Sequence, residues 1–360
     1  MGSIIYRLKL GVMDVWRLGV AAVLTALLLI PIDFPCGRAP AGGAGGFILP
    51  PGASLRWGLS AIHAPQAWQV TQGSEDIVVA VIDSGIDRTI PALADRMWHN
   101  PGEIPGNGRD DDGNGYVDDV YGWDFRDGDP DSLSGTPIHS HGTFVAGLIA
   151  AAFDAATGVG GVAPRVRLMD LRFLDSRALF YSSDWRKLAA AIDYAVDNGA
   201  RVINLSIYAR LTPPEYVHAA IRRAVAHGVL VVGIAGNEGK DEIGYFGKWP
   251  EVLTVAAVDR YGRVARFSNR GPEVDLAGPG VQVVSFAPGG ERTSGSGTSF
   301  AAPHVAGTAA LLLSLHPDLS LDELVKLLTD TAADLYSPGR DPATGAGLVD
   351  AGAAVLAAAR

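Results

Sequence analysis

The sequence predicts an α/β fold: a three-layer sandwich with a central, mostly parallel sheet covered by helices on both sides. Two observations carry that expectation. Short runs rich in Val and Ile alternate with longer helical segments, which implies parallel strands joined by covering helices. The runs are apolar throughout instead of alternating with polar residues, as strands buried on both faces are. A length of 360 residues, 48% hydrophobic and 19% charged, fits one large domain of this kind.

Taken in order, residues 77–82 are the first such run, and residues 141–153 read as a helix. Residues 185–198 form a second helix, stopped by Gly199 just past its end. A short apolar strand follows at 202–205. Thr212 as cap and Pro213 as first residue then open a helix that runs to His227 and Gly228. Residues 229–234 and 252–258 are strands again, and 299–315 is a long apolar helix. Ser320 with Glu323 makes a capping box for the next helix, and Asp350 starts the last. No internal repeat is present. Ligands of such sheets bind beyond the carboxyl ends of the strands.

The first 54 residues differ in character. Arg7, Lys9 and Arg17 precede an apolar run over 18–30 that ends at Pro31, so residues 1–36 read as a signal peptide or N-terminal membrane anchor. That run is shorter than the roughly 20 residues a full span needs, and Ala39-Pro40-Ala41 offers small residues for cleavage. Residues 37–54 are a flexible Gly/Ala/Pro linker, and 55–360 the folded domain. This arrangement places the domain outside the cytoplasm, secreted or periplasmic, with anchoring in the membrane as the alternative to release. Cys36 is the only cysteine, so no intrachain disulfide forms. The formal net charge of −10 excludes a nucleic-acid partner, since no basic block exists to displace counterions from phosphates. The acidic residues instead crowd between Asp110 and Asp131.

Four segments carry chemistry. Asp83 closes the first strand in Val-Val-Ala-Val-Ile-Asp-Ser-Gly, where a buried carboxylate needs a partner. His141 opens a helix in His-Gly-Thr-Phe-Val-Ala-Gly; His139 lies close by. Ser299 stands in Gly-Thr-Ser-Phe-Ala-Ala-Pro-His-Val-Ala-Gly at the start of the apolar helix, where backbone N–H groups favour developing negative charge. A serine hydroxyl there becomes a nucleophile once a neighbouring base takes its proton. Asn237, in Ala-Gly-Asn-Glu-Gly after a strand, has a side-chain amide suited to donate to an oxyanion.

Together these segments resemble the subtilisin family, in its thermitase-like branch. The order Asp83, His141, Ser299 matches that family and differs from the orders of chymotrypsin-like and α/β-hydrolase enzymes. The resemblance extends from about Trp57 to Ala358 and includes the Gly161-Val-Ala-Pro164 turn, Val202-Ile-Asn-Leu-Ser206 and Gly345-Ala-Gly-Leu-Val-Asp350. It implies a serine endopeptidase acting on polypeptides, expected to be monomeric. Ser299 would attack the scissile carbonyl, His141 accept its proton, Asp83 orient the imidazole, and Asn237 with the Ser299 N–H bind the oxyanion. It also implies a peptide lying as an added strand, with its P1 side chain between Ser206-Ile207-Tyr208 and Ala235-Gly236, closed off by Gly244. Two departures stand out. Tyr208-Ala209 replaces a glycine pair, and the 240–246 loop is short, with Tyr245-Phe246 in place of a proline. Glu238 at the rim would favour a basic P1 only weakly.

Asp110, Asp112 and Asn114, with Asp119 to close the shell, offer oxygens at alternate positions around Gly113 and Gly115, as calcium loops do. Asp124, Asp127, Asp129 and Asp131 form a second set whose spacing resembles a calcium site of thermitase-like relatives. Ala92 and Ala155 stand where another family calcium site has polar residues, so structural Ca2+ is expected from 110–131 alone. Most secreted subtilisins carry an N-terminal propeptide, and too little sequence lies between the apolar run and Trp57 for one; the chain either folds unaided or is helped in trans, and the domain from about Gly52 is expected to fold with calcium alone. Two other readings use the same residues: a catalytically silent calcium-binding interaction module, and an esterase-like acyl hydrolase.

Overall fold

A computed structural model describes residues 57–155, 159–336 and 338–360. The targeting segment, Cys36 and the linker lie outside the described residues.

The sheet has seven strands: β1 (Val78–Asp83), β2 (Gly122–Asp124), β3 (Arg167–Arg172), β4 (Val202–Asn204), β5 (Leu230–Ile234), β6 (Val252–Val258) and β7 (Leu276–Pro279). Their spatial order is β2-β3-β1-β4-β5-β6-β7, and every neighbouring pair is parallel. A separate antiparallel pair, β8 (Val283–Phe286) and β9 (Arg292–Gly295), lies apart from it. β1 is buried along its whole length because both of its faces meet helices. Val79 and Val81 pack into one apolar layer, while Val78, Ala80 and Ile82 pack into the other. That is the period-two geometry of a strand applied to a sheet covered twice.

The first layer holds α4 (Ser140–Ala150), α7 (Thr298–Leu315), α8 (Leu321–Asp330) and α9 (Ala351–Ala358). The short helices α1 (Trp57–Ala61) and α2 (Ala64–Ala67) join this side, and α3 (Pro91–Ala94) follows β1. The second layer holds α5 (Trp185–Asp197) and α6 (Glu215–Ala226), which bury Leu188, Ile192, Val217 and Ile221. Each fully buried aliphatic side chain contributes about 1.5–3 kcal/mol, so α7 is a main support of the fold. Among the described residues it is the one helix long and apolar enough to cross a membrane, and its burial identifies it as a core helix.

Helix boundaries follow local chemistry. Gly199 takes φ +77° after α5, and Ser320 and Glu323 exchange the reciprocal bonds of a capping box at α8. Asp350 caps α9 by accepting from the Ala353 N–H at 2.8 Å. Two expectations need correction. Helix α4 ends at Ala150, three residues short of the expected 153. Helix α6 begins at Glu215 with Pro214 as its cap, two residues later than the Thr212-Pro213 signal indicates. The second proline is the cause, because it pushes the residue before it out of the helical region.

The strand order reverses around β1, whose neighbours are β3 on one side and β4 on the other. A crevice at the carboxyl ends of β1, β4 and β5 is therefore where this topology offers a site.

Candidate active site

Asp83 is the last residue of β1 and is fully buried. Its Oδ1 accepts from the Ser84 N–H at 2.7 Å, and the two carboxylate oxygens lie 2.8 and 2.9 Å from Nδ1 of His141. The imidazole gets there because α4 starts hard against the end of β1. A Cβ on Gly142 would lie 2.5 Å from the Gly85 carbonyl oxygen, so no larger residue permits this approach. The Ser84 hydroxyl locks the junction, accepting from the Gly142 N–H at 3.0 Å and donating to the His139 carbonyl at 2.9 Å. His139 is the cap of α4: its Nδ1 accepts from the His141 N–H at 3.2 Å. Burial, then the neighbouring His141, holds the His139 imidazole below its ordinary pKa and so in the neutral form that accepts.

Ser299 sits in the first turn of α7 and lines the same cleft as His141, Asn237 and Gly297. Its hydroxyl is turned toward the Ser206 carbonyl, a long contact of 3.5 Å, and is not bonded to the imidazole. Such bonds commonly tighten only when substrate is bound, and one rotation about χ1 redirects the hydroxyl. Pro303, inside α7, has no N–H to give to the Ser299 carbonyl. The Ser206 hydroxyl donates to that carbonyl instead, at 2.9 Å, and ties the Ser299 backbone to the segment after β4.

Asn237 follows β5. Its Oδ1 accepts from both the N–H and the hydroxyl of Thr298, at 2.8 and 2.9 Å. That pair of bonds fixes the amide orientation and leaves Nδ2 on the side facing the cleft. The Ser299 N–H has no acceptor among the described residues. Two donors thus converge next to one hydroxyl, as an oxyanion demands.

The residues expected to wall the P1 side chain, Ser206, Ile207, Tyr208, Ala235, Gly236 and Gly244, follow β4 and β5 in the chain and are all buried. Glu238 is already engaged by the Tyr208 hydroxyl at 3.0 Å, Arg210 at 2.6 Å and Lys240 at 3.3 Å. It therefore has no free oxygen with which to select a basic side chain. The sequence reading missed Leu174, Arg177 and Ala178, which line the cleft from the loop after β3. Only the left-handed conformation of Ala178, φ +56°, distinguishes that loop, and composition does not show it.

The acidic residues separate into two groups. Asp112 and Asp119 come together with Glu103, their ligand atoms all within 4.8 Å of one another. Glu103 was not anticipated, because it lies apart from the Asp run in sequence. It is brought in by accepting from the N–H groups of Asp111, Asp112 and Asp118. Asn100 and Asn114 each donate to both Asp112 and Asp119, and the Tyr194 hydroxyl donates to Asp119 at 2.5 Å. Asp110 is turned away from this group, onto the N–H groups of Asn114 and Gly115.

The second set behaves differently from the expectation. Asp124, Asp127, Asp129 and Asp131 do not gather around a common point among the described residues. Asp124 faces Arg172 at 2.9 Å, with both side chains fully buried, and its other oxygen accepts from the N–H groups of Arg126 and Asp127. Asp131 is paired with Arg88 at 2.6 Å, Asp127 accepts from the Thr136 N–H, and Asp129 accepts from the Asp131 N–H. Arg172 and Arg88 thus face Asp124 and Asp131, while Asp129 also accepts from the Ser134 hydroxyl.

Fold and cleft together define a serine hydrolase on a parallel α/β scaffold, with its carboxylate, imidazole and hydroxyl in the chain order Asp, His, Ser. The chain belongs to the subtilase family, whose model matches residues 74–347, and is thereby a serine-type endopeptidase. It is 38% identical over 259 residues to a thermophilic serine proteinase of Bacillus sp. (strain AK1), an alignment covering 72% of this chain and 57% of that protein. It is 35% identical over 262 residues to thermitase of Thermoactinomyces vulgaris, covering 73% of this chain and 83% of the relative. Subtilisin E of Bacillus subtilis (strain 168) is 35% identical over 305 residues, 84% of this chain and 71% of the relative.

Proposed function

We propose that the chain hydrolyses peptide bonds through Asp83, His141 and Ser299 by way of an acyl-enzyme, with Asn237 and the Ser299 N–H as the oxyanion site. The observation that carries this is the buried His141–Asp83 pair, at 2.8 Å, opening onto the cleft that Ser299 shares. Asp83 holds the imidazole with its other nitrogen toward the serine. His141 removes the hydroxyl proton as Ser299 attacks, then returns it to the leaving amine. The negative charge that develops on the carbonyl oxygen is met by donors already in place, and water repeats the sequence to release the acid.

A fluorophosphonate probe tests the reading. It is expected to label Ser299 in a protein that cleaves casein faster than a short ester at equal active-site concentration. Labelling elsewhere, or none, refutes the assignment; ester turnover without casein cleavage favours an esterase-like hydrolase. A calcium-binding module without activity has no use for the His–Asp pair beside a cleft serine.

We further place structural calcium at Glu103, Asp112 and Asp119. The donor set is all oxygen, as Ca2+ requires. Asp119 and Glu103 are buried, and three carboxylates held this close repel one another strongly without a cation. Bound calcium would neutralise the loop that carries β2 toward the sheet edge. Excess chelator is expected to lower the melting temperature by several degrees, since a ligand held at about 100 times its Kd adds about 2.7 kcal/mol. Unchanged melting would sink this placement. The N-terminal apolar segment supports an enzyme acting outside the cytoplasm, released or membrane-attached.

A further inference from the structure

We infer that the Tyr208 side chain occupies the P1 pocket of this enzyme and restricts cleavage to bonds that follow small residues: glycine, alanine or serine. The inference rests on the hydrolase reading above and deepens it. A carbonyl placed over Ser299 with its oxygen toward Asn237 leaves one direction for the side chain on its acyl side. That direction is the slot between the segment after β4, whose Ser206 carbonyl lies 3.5 Å from the Ser299 hydroxyl, and Ala235-Gly236 just past the end of β5. Tyr208 fills this slot.

A Cβ on Gly236 would lie 2.4 Å from Cε2 of the Tyr208 ring, and one on Gly244 only 2.5 Å from the same atom. Both glycines are therefore packed against the Cδ2–Cε2 edge of the ring, where neither position leaves room for a side chain. The walls are drawn together around it, because Gly244 donates to the Ala235 carbonyl at 3.4 Å and Tyr245 to the Ala209 carbonyl at 3.1 Å. Tyr208 itself is 8% exposed. The ring is also held at its far end. Its hydroxyl donates to Glu238 at 3.0 Å and accepts from Asn269 Nδ2 at 3.4 Å, while Arg210 and Lys240 pin the Glu238 carboxylate. Burial, reinforced by the bond to Glu238, pushes the phenol up to about 12, so no ordinary working pH ionises it and loosens the plug.

A large P1 side chain must expel a buried aromatic ring and strand the Glu238 and Asn269 groups that hold it. A methyl or a hydrogen needs no such displacement. Selection here is by exclusion: the pocket is not shaped for alanine, it is closed to phenylalanine.

The test uses the full chain, with active sites counted by fluorophosphonate titration, on quenched peptides that differ only at P1. The expected order is alanine, glycine and serine above leucine, phenylalanine and lysine, with kcat/KM for alanine exceeding that for phenylalanine by at least about tenfold. In Tyr208→Gly the order reverses, and kcat/KM for phenylalanine rises by about 100-fold; Tyr208→Ala moves the same way by less. Equal cleavage after phenylalanine and alanine in the wild type overturns the inference, because the ring then swings aside freely. So does an unchanged ratio in the titratable fraction of Tyr208→Gly. The wild-type order decides the matter even where that variant is recovered in low yield. Failure of Ser299 to titrate at all is a separate result, which refutes the hydrolase reading and this inference with it.

Discussion

Ser299→Ala is expected to lower kcat on a cleavable peptide by about 10^6-fold, the scale seen when a Ser–His–Asp unit loses its nucleophile. The geometry shows why the loss should be large and why it should not be a loss of fold. The Ser299 hydroxyl makes only one long contact, to the Ser206 carbonyl at 3.5 Å, so removing it forfeits almost no native bonding. The backbone anchors of the residue stay in place, since the Ser206 hydroxyl holds the Ser299 carbonyl at 2.9 Å whatever side chain is present. The melting temperature should thus stay within a few degrees while turnover collapses. His141→Ala should cost about as much, and the double variant little more than either single one, because the hydroxyl and its base act as one unit. Asn237→Ala should cost less, about 10^2–10^3-fold in kcat, since one of two oxyanion donors remains. Steady-state kinetics on one peptide across these four proteins checks the set. Independent, multiplying losses at 141 and 299 would show that the two side chains do not work on the same proton.

The parts that sequence revealed and the parts it hid differ for physical reasons. Strand β1 was legible because burial on both faces leaves no room for a polar residue between Val78 and Ile82, whichever layer each side chain enters. The segment around His141 stood out because it sets a histidine beside a glycine, and the reason is now visible at Gly142, pressed against Gly85. The start of α6 was misplaced because two adjacent prolines compete for one role, and local signals do not rank them. Glu103 was missed because the loop's own N–H groups, not proximity in sequence, draw it to Asp112 and Asp119. Tyr208 was recognised as a departure, yet whether its ring points into the cleft or away from it is a matter of rotamer, which sequence does not encode locally. The Asp124–Arg172 pair was not anticipated. Acidic spacing describes only the negative partner, and the positive one arrives from β3, 48 residues further along the chain.

That pair carries the largest stability effect expected here. Arg172→Met should destabilise the protein by about 3–5 kcal/mol, because removing one member of a buried ion pair leaves the other charge uncompensated. Both side chains are fully buried, at 2.9 Å, so no water stands ready to replace the guanidinium. For a domain of this size the loss corresponds to about 10 °C in melting temperature, measured in the Ser299→Ala background so that self-digestion does not interfere. The effect should depend on pH, with a definite sign. Burial already raises the Asp124 carboxyl above its ordinary 3.8, even with Arg172 and two N–H groups drawing it down. Without Arg172 it rises further, so the folded variant holds a proton that the unfolded chain has released. A protein that binds more protons folded than unfolded loses stability as pH climbs. The deficit relative to the parent should therefore be small below 3.8, where Asp124 is neutral in both states, and widen as pH rises through the elevated folded value. Asp170, on the same strand and fully buried, is pushed up to about 6 by burial; it is common to both proteins and largely cancels in the difference. Asp124→Asn combined with Arg172→Met removes the stranded charge and should recover much of the loss at pH 8. A deficit that stays constant with pH, or a double variant no better than the single one, would mean that Arg172 acts by filling space and not by answering the Asp124 charge.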